Sequence, residues 1–144
     1  MDKKNNPAGE LLRLNPEEMD ISGEWILWPR EPSNILLNSL KNQGQLQPVL
    51  VQGQNPSRLI AGYSRVLALR ELGRDVLAIQ ADSAGKDPGL AYVQSNCGQE
   101  PATGQKAAAL RYCRGNAELL KEMYPALGID ASSREHTQWE DWLG

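Results

Sequence analysis

The sequence predicts an α+β protein in which a small mixed β-sheet with short helices is followed by a purely helical stretch. Three observations predict it. The runs "LQPVLVQ" (46–52), "RLIAG" (58–62) and "DVLAIQAD" (75–82) are short, apolar and rich in β-branched residues, as strands are. The segments beside them, "PSNILLNSLKNQG" and "SRVLALRELG", carry helical periodicity and end in stop glycines. Beyond "SAGKDPG" only helical patterns remain. With 144 residues, 40% of them hydrophobic, the chain can bury a real core.

Taken in order, residues 1–10 are polar and contain Asn, Pro and Gly, and a flexible tail is expected over residues 1–20. An α+β domain is expected over 21–100 and a helical extension over 101–144. "LLRLNPEEMDISGEWILWP" offers a short apolar piece, a turn at Asn15-Pro16, and a second apolar piece whose Trp25 and Trp28 suit a core edge. The first helix is capped by Ser33 or Asn34, aligns Leu36 with Leu40, and stops at Gly44. "GQNPS" joins the next two strands as a hairpin. The second helix turns Val66, Leu69 and Leu72 inward, and Arg70 and Arg74 outward. "LAYVQSN" is a third helix. A longer helical stretch from about 105 to 123 is expected to break near Gly115. The last helix, "SSREHTQWEDWLG", is capped by Ser132 or Ser133 and sets Trp139 and Trp142 one turn apart. That tryptophan-bearing end is expected to dock on this domain or on sequence further downstream, the chain being read as a piece of a longer protein.

Several function classes are disfavoured by composition. No apolar run reaches the length of a membrane span and no signal-peptide core follows the N-terminal lysines, so a cytoplasmic location is expected. Cys97, Cys113 and the single His136 make no metal-ligand spacing, so neither zinc nor a disulfide framework is expected. The net charge of −3 does not suit a generally basic nucleic-acid binder. Arg58, Arg65, Arg70 and Arg74 nonetheless cluster around the lone acid Glu71, either as a local basic region or as a solvated helix face.

The stretch "IAGYSRVLALRELG" (60–73) reads as a strand, a sharp turn at Gly62 and a helix. The first helical turn presents free N–H groups and a positive dipole end, which suits a phosphate. The same stretch also serves as an ordinary strand-to-helix corner, with Arg65 bonded locally. Gly44 and Pro48 likewise stop a helix and start a strand whatever else they do, and Asn96 is a natural helix-end residue.

Three blocks resemble the N-terminal domain of ParB-type partition proteins, the ParB-like nuclease domain that shares a fold with sulfiredoxin. Ser39, Gly44, Gln47 and Pro48 are similar to its "S-I-x-x-x-G-x-x-Q-P"; Gly62, Tyr63, Ser64, Arg65, Ala68, Leu72 and Gly73 to "G-E-R-R-x-x-A" and "L-G"; and Ser95, Asn96 and Gln99 to "E-N-x-x-R". The resemblance covers about residues 25–125. It implies a bacterial chromosome-partition module that binds CTP with magnesium, the first block around the base and the second on the phosphates, with Asn96 organising phosphate and metal. It implies nucleic-acid association through a downstream segment, and a homodimer. The sites so implied are Gly44, Gln47, Pro48, Gly62, Tyr63, Ser64, Arg65 and Asn96.

The departures from that pattern bear on chemistry. Tyr63 stands for a glutamate, Ser64 for an arginine, Ser95 for a glutamate and Gln99 for an arginine. The site thereby loses two positive charges and two carboxylates, which weakens phosphate attraction and metal coordination. A degenerate nucleotide site without efficient hydrolysis, at most a weak nucleotidase, is the expectation. A ligand-free interaction scaffold is one alternative, and a nucleotide-dependent kinase-like enzyme or nuclease another. Sulfiredoxin chemistry lacks its cysteine, because Tyr63 occupies that place.

Overall fold

A computed structural model describes residues 9–81, 85–96 and 101–144. Four strands, β1 (Leu11–Leu14), β2 (Val49–Gln52), β3 (Arg58–Ala61) and β4 (Val76–Gln80), form one sheet in the order β1-β4-β2-β3. Strand β1 runs antiparallel to β4, β4 parallel to β2, and β2 antiparallel to β3. The helices are α1 (Asn34–Gln43), α2 (Tyr63–Glu71), α3 (Pro88–Asn96), α4 (Thr103–Tyr112), α5 (Ala117–Ala126) and α6 (Arg134–Leu143). The architecture is α+β, as expected.

Period-two alternation divides the sheet between two cores. Val49, Val51, Leu59, Val76 and Ala78 face α1 and α2, where Leu40, Val66 and Leu69 complete a dry cluster. Ile60 faces the other way, onto Trp25, Ala91 and Tyr92. Helix α3 then leads into a helical layer in which Leu90 and Val93 pack with Leu110, Cys113, Met123 and Leu127. Residue 100 therefore does not divide two cores, since α3 shares its packing with α4, α5 and α6. Cys113 is fully buried, and that burial pushes its thiol up to about 12. Cys97 lies outside the described residues.

The expected tail over 1–20 is corrected by this structure. Strand β1 pairs with β4 along one edge of the sheet. Past a single 3-10 turn at Pro16–Glu18, Met19 enters the core. Asp20 then bonds along the opposite edge: its N–H donates to the Ser57 carbonyl at 2.9 Å, and its carbonyl accepts from the Leu59 N–H at 3.0 Å. The physical reason is edge protection. The unpaired N–H and C=O groups of β4 and β3 take up the segment that precedes them in the chain. Only residues 1–8 of the expected tail lie outside the described residues.

Helix ends follow local chemistry. Ser33 caps α1, its Oγ accepting from the Leu36 N–H at 3.1 Å. Gly44 closes that helix at φ +77, a left-handed conformation that glycine adopts without steric cost. Gly115 separates α4 from α5 at φ +84.

Candidate functional site

The first turn of α2 opens onto a cavity of about 300 Å³. Its floor is sheet residues Leu59 and Ile60; α2 contributes Gly62, Tyr63, Ser64 and Arg65; α3 contributes Tyr92 and Asn96; Leu36 of α1 and the segment Trp28–Arg30 close the rim. Gly62 sits at φ +109. A Cβ there would fall 2.5 Å from Val49 Cγ1, so close packing of the corner on β2 requires glycine. Gly62 also provides no side-chain cap, which leaves the N–H groups of the first turn aimed outward.

Arg65, Ser64, Asn96 and Tyr92 each have defined partners. Arg65 Nη1 donates to the carbonyls of Gln47 at 2.9 Å and Pro48 at 3.0 Å. Nε and Nη2 have no partner among the described residues, and burial lowers the Arg65 pKa without discharging the guanidinium. Ser64 Oγ donates to the Arg30 carbonyl at 2.6 Å. Asn96 Nδ2 donates to the carbonyls of Ile60 at 2.8 Å and Tyr92 at 2.7 Å. The Tyr92 hydroxyl accepts from the Trp28 N–H at 3.1 Å, the two rings meeting edge-on at 5.6 Å. Trp28 Nε1 reaches the Gln105 carbonyl at 3.3 Å, so one indole joins the cavity wall to the helical layer.

Of the residues that sequence singled out, Gly62, Tyr63, Ser64, Arg65 and Asn96 meet in the cavity wall. Gln47 and Pro48 join through their carbonyls alone, and Gly44 serves as the α1 stop, its N–H donating to the Leu40 carbonyl at 2.9 Å. Gln99 lies outside the described residues. Sequence reasoning missed Arg30 and Tyr92 and read Trp28 only as a core edge. The one signal for Arg30 was its place in the proline-flanked "WPREP", where backbone freedom is restricted.

The sequence left these arginines as either a local basic region or a solvated helix face, with Arg70 and Arg74 outward; the structure instead bonds them to neighbouring segments. Arg74 is turned onto the end of α1, donating to the Leu40 carbonyl at 2.6 Å and the Lys41 carbonyl at 3.3 Å. Arg70 donates to the Pro16 carbonyl at 3.0 Å and pairs with Glu17 at 3.5 Å. Arg58 holds Gln52 Oε1. Arg70 and Arg74 stitch neighbouring segments together because a carbonyl oxygen at a helix end or turn has a second lone pair to offer a side-chain donor.

An α+β domain with a polar cavity at an uncapped helix start is the class that this fold and site define. Among solved structures, the chain is similar to a Pnob8-like ParB-N domain, with 20% identity, a TM-score of 0.51, and coverage of 80% of this chain and 47% of that one. It is also similar to C-terminally truncated ParB from Caulobacter crescentus complexed with CTP-gamma-S, with 16% identity, a TM-score of 0.50, and coverage of 85% of this chain and 73% of that one. The fold is that of the ParB N-terminal domain. The chain spans about half the length of the Pnob8-like structure. No family model matches the sequence, and no curated protein matches it. No described helix is long and apolar enough to cross a membrane.

Proposed function

We propose that this chain is a ParB-like nucleotide-responsive module of a partition or regulatory protein, with the cavity at the start of α2 as its CTP or phosphate site. The observation that carries the reading is the convergence of Gly62–Arg65, Asn96 and Arg30 on one cavity, in a fold whose Caulobacter crescentus neighbour was crystallised with CTP-gamma-S. An uncapped helix start with a guanidinium beside it attracts anions. Nucleic acid then associates through a segment beyond this chain, and the functional unit is a homodimer. The cytoplasm is its proposed location.

Calorimetry with CTP, ATP and ADP tests the reading. Heat with at least one nucleotide is expected, and loss of that heat in Arg65→Ala, with the fold checked by circular dichroism. A gel shift at two salt concentrations tests nucleic-acid association by the chain alone.

A second reading, a ligand-free scaffold, is favoured by a different observation: Ser64 Oγ, Asn96 Nδ2 and Arg65 Nη1 are all engaged by backbone carbonyls. Absence of heat with every nucleotide would establish it. The nucleotide-consuming enzyme has less support, since no carboxylate among the described residues lines the cavity beside Arg65. Nor do three His, Cys, Asp or Glu converge as a metal site among the described residues.

A further inference from the structure

The resemblance implies magnesium at this site, and the donors that the described residues supply do not fit it. Magnesium bound with nucleotides is ordinarily held through one or two carboxylates together with phosphate oxygens and waters. Among the described residues, the side-chain oxygens of this wall are the Tyr63, Ser64 and Tyr92 hydroxyls and the Asn96 amide, all neutral. Two of them are already engaged, Ser64 with the Arg30 carbonyl and Tyr92 with the Trp28 N–H.

Positive charge is instead built into the wall. Arg65 is fixed through Nη1, with Nε and Nη2 open. Arg30 stands on the rim with no side-chain partner among the described residues, although its backbone is held by the 2.6 Å bond from Ser64. A guanidinium carried on an anchored backbone offers a planar fork of donors to two oxygens of one phosphate group.

We infer that the cavity recognises a polyphosphate directly through Arg30 and Arg65, with Arg30 as a phosphate-binding residue and no requirement for a divalent cation. This rests on the nucleotide reading above and deepens it. The ligand class is a metal-free nucleoside triphosphate, whose greater negative charge favours the two guanidiniums.

Calorimetric titration of the whole chain with CTP, once with magnesium chloride and once with EDTA, tests it. Inorganic tripolyphosphate serves as a competitor. Binding at least as tight in EDTA is expected, with CTP displaced by tripolyphosphate. Arg30→Ala should weaken binding about tenfold or more, with Arg30→Lys recovering part of it. Binding confined to the magnesium buffer, or unchanged in Arg30→Ala, overturns the inference while the nucleotide reading stands. No heat in either buffer removes both.

Discussion

Helix α6 starts behind Ser133, whose Oγ accepts from the His136 N–H at 3.1 Å, and it carries Glu135 in its first turn. Helix α2 starts behind Gly62, which has no side chain to cap with, and it carries no acid there. Both starts have a cation nearby. Beside α6 it is Lys106, buried and joined to Glu135 at 2.7 Å; beside α2 it is Arg65, with Arg30 on the rim. The α6 start contains its own anion and is electrostatically complete. Among the described residues, the α2 start has the donors and the cations without the anion, the arrangement on which the proposed phosphate site rests.

The largest effect that could break this contrast is expected at Gly62. Gly62→Ala must hold φ +109 and place a Cβ 2.5 Å from Val49 Cγ1. A loss of about 2–4 kcal/mol in urea denaturation is expected from strain and overpacking together. A loss below about 1 kcal/mol would mean that the corner relaxes and that Val49 does not fix the open start.

The next effect is on the closed start. Glu135→Gln removes the carboxylate facing Lys106, and a cost of about 1–2 kcal/mol is expected, below that of a fully buried pair because Glu135 is 40% exposed. Ser133→Ala should cost about 1 kcal/mol, the usual value of an N-cap. Denaturation read by tryptophan fluorescence follows both, since Trp139 and Trp142 lie on α6. Neither substitution should alter nucleotide heat at the α2 cavity, and a change there would erase the separation between the two starts.

The smallest effect sharpens the contrast by pH. Hydrogen bonds from Lys106 and then Trp139 hold the Glu135 carboxyl below its ordinary 4.5. A depressed carboxyl stabilises the fold fully above its unfolded pKa and loses that contribution as pH falls through the folded value. Docking of α6, read by fluorescence, should therefore weaken below about pH 4. Glu140, which accepts from the Tyr124 hydroxyl at 2.6 Å, is a second carboxylate on the same helix. The difference between wild type and Glu135→Gln isolates Glu135, and identical acid curves would show that its ion pair does not hold α6.

Much of the chain's local order was legible. Ser33 and Ser133, each one of two caps that the sequence offered, cap their helices, and Gly44 and Gly115 both take a positive φ past a helix end. The glycine-entered corner at 62–65 is likewise present and does border a cavity. The destinations of the arginines were not legible. A basic residue on a helix face looks solvated in sequence, yet Arg74 reaches a helix end 34 residues away and Arg70 a turn 54 residues away.

Apart from β1, the sequence by itself determined which segments are strands and helices and roughly where they stop, because periodicity, caps and glycine conformations act within a few residues. Only the tertiary structure decided that Leu11–Leu14 and Asp20 cover the two sheet edges, that Trp28 ties the cavity to α4, and that Arg30 rather than Gly44 belongs to the wall. Those outcomes depend on which carbonyls and strand edges become neighbours after the chain closes on itself, and no short window of residues contains that information.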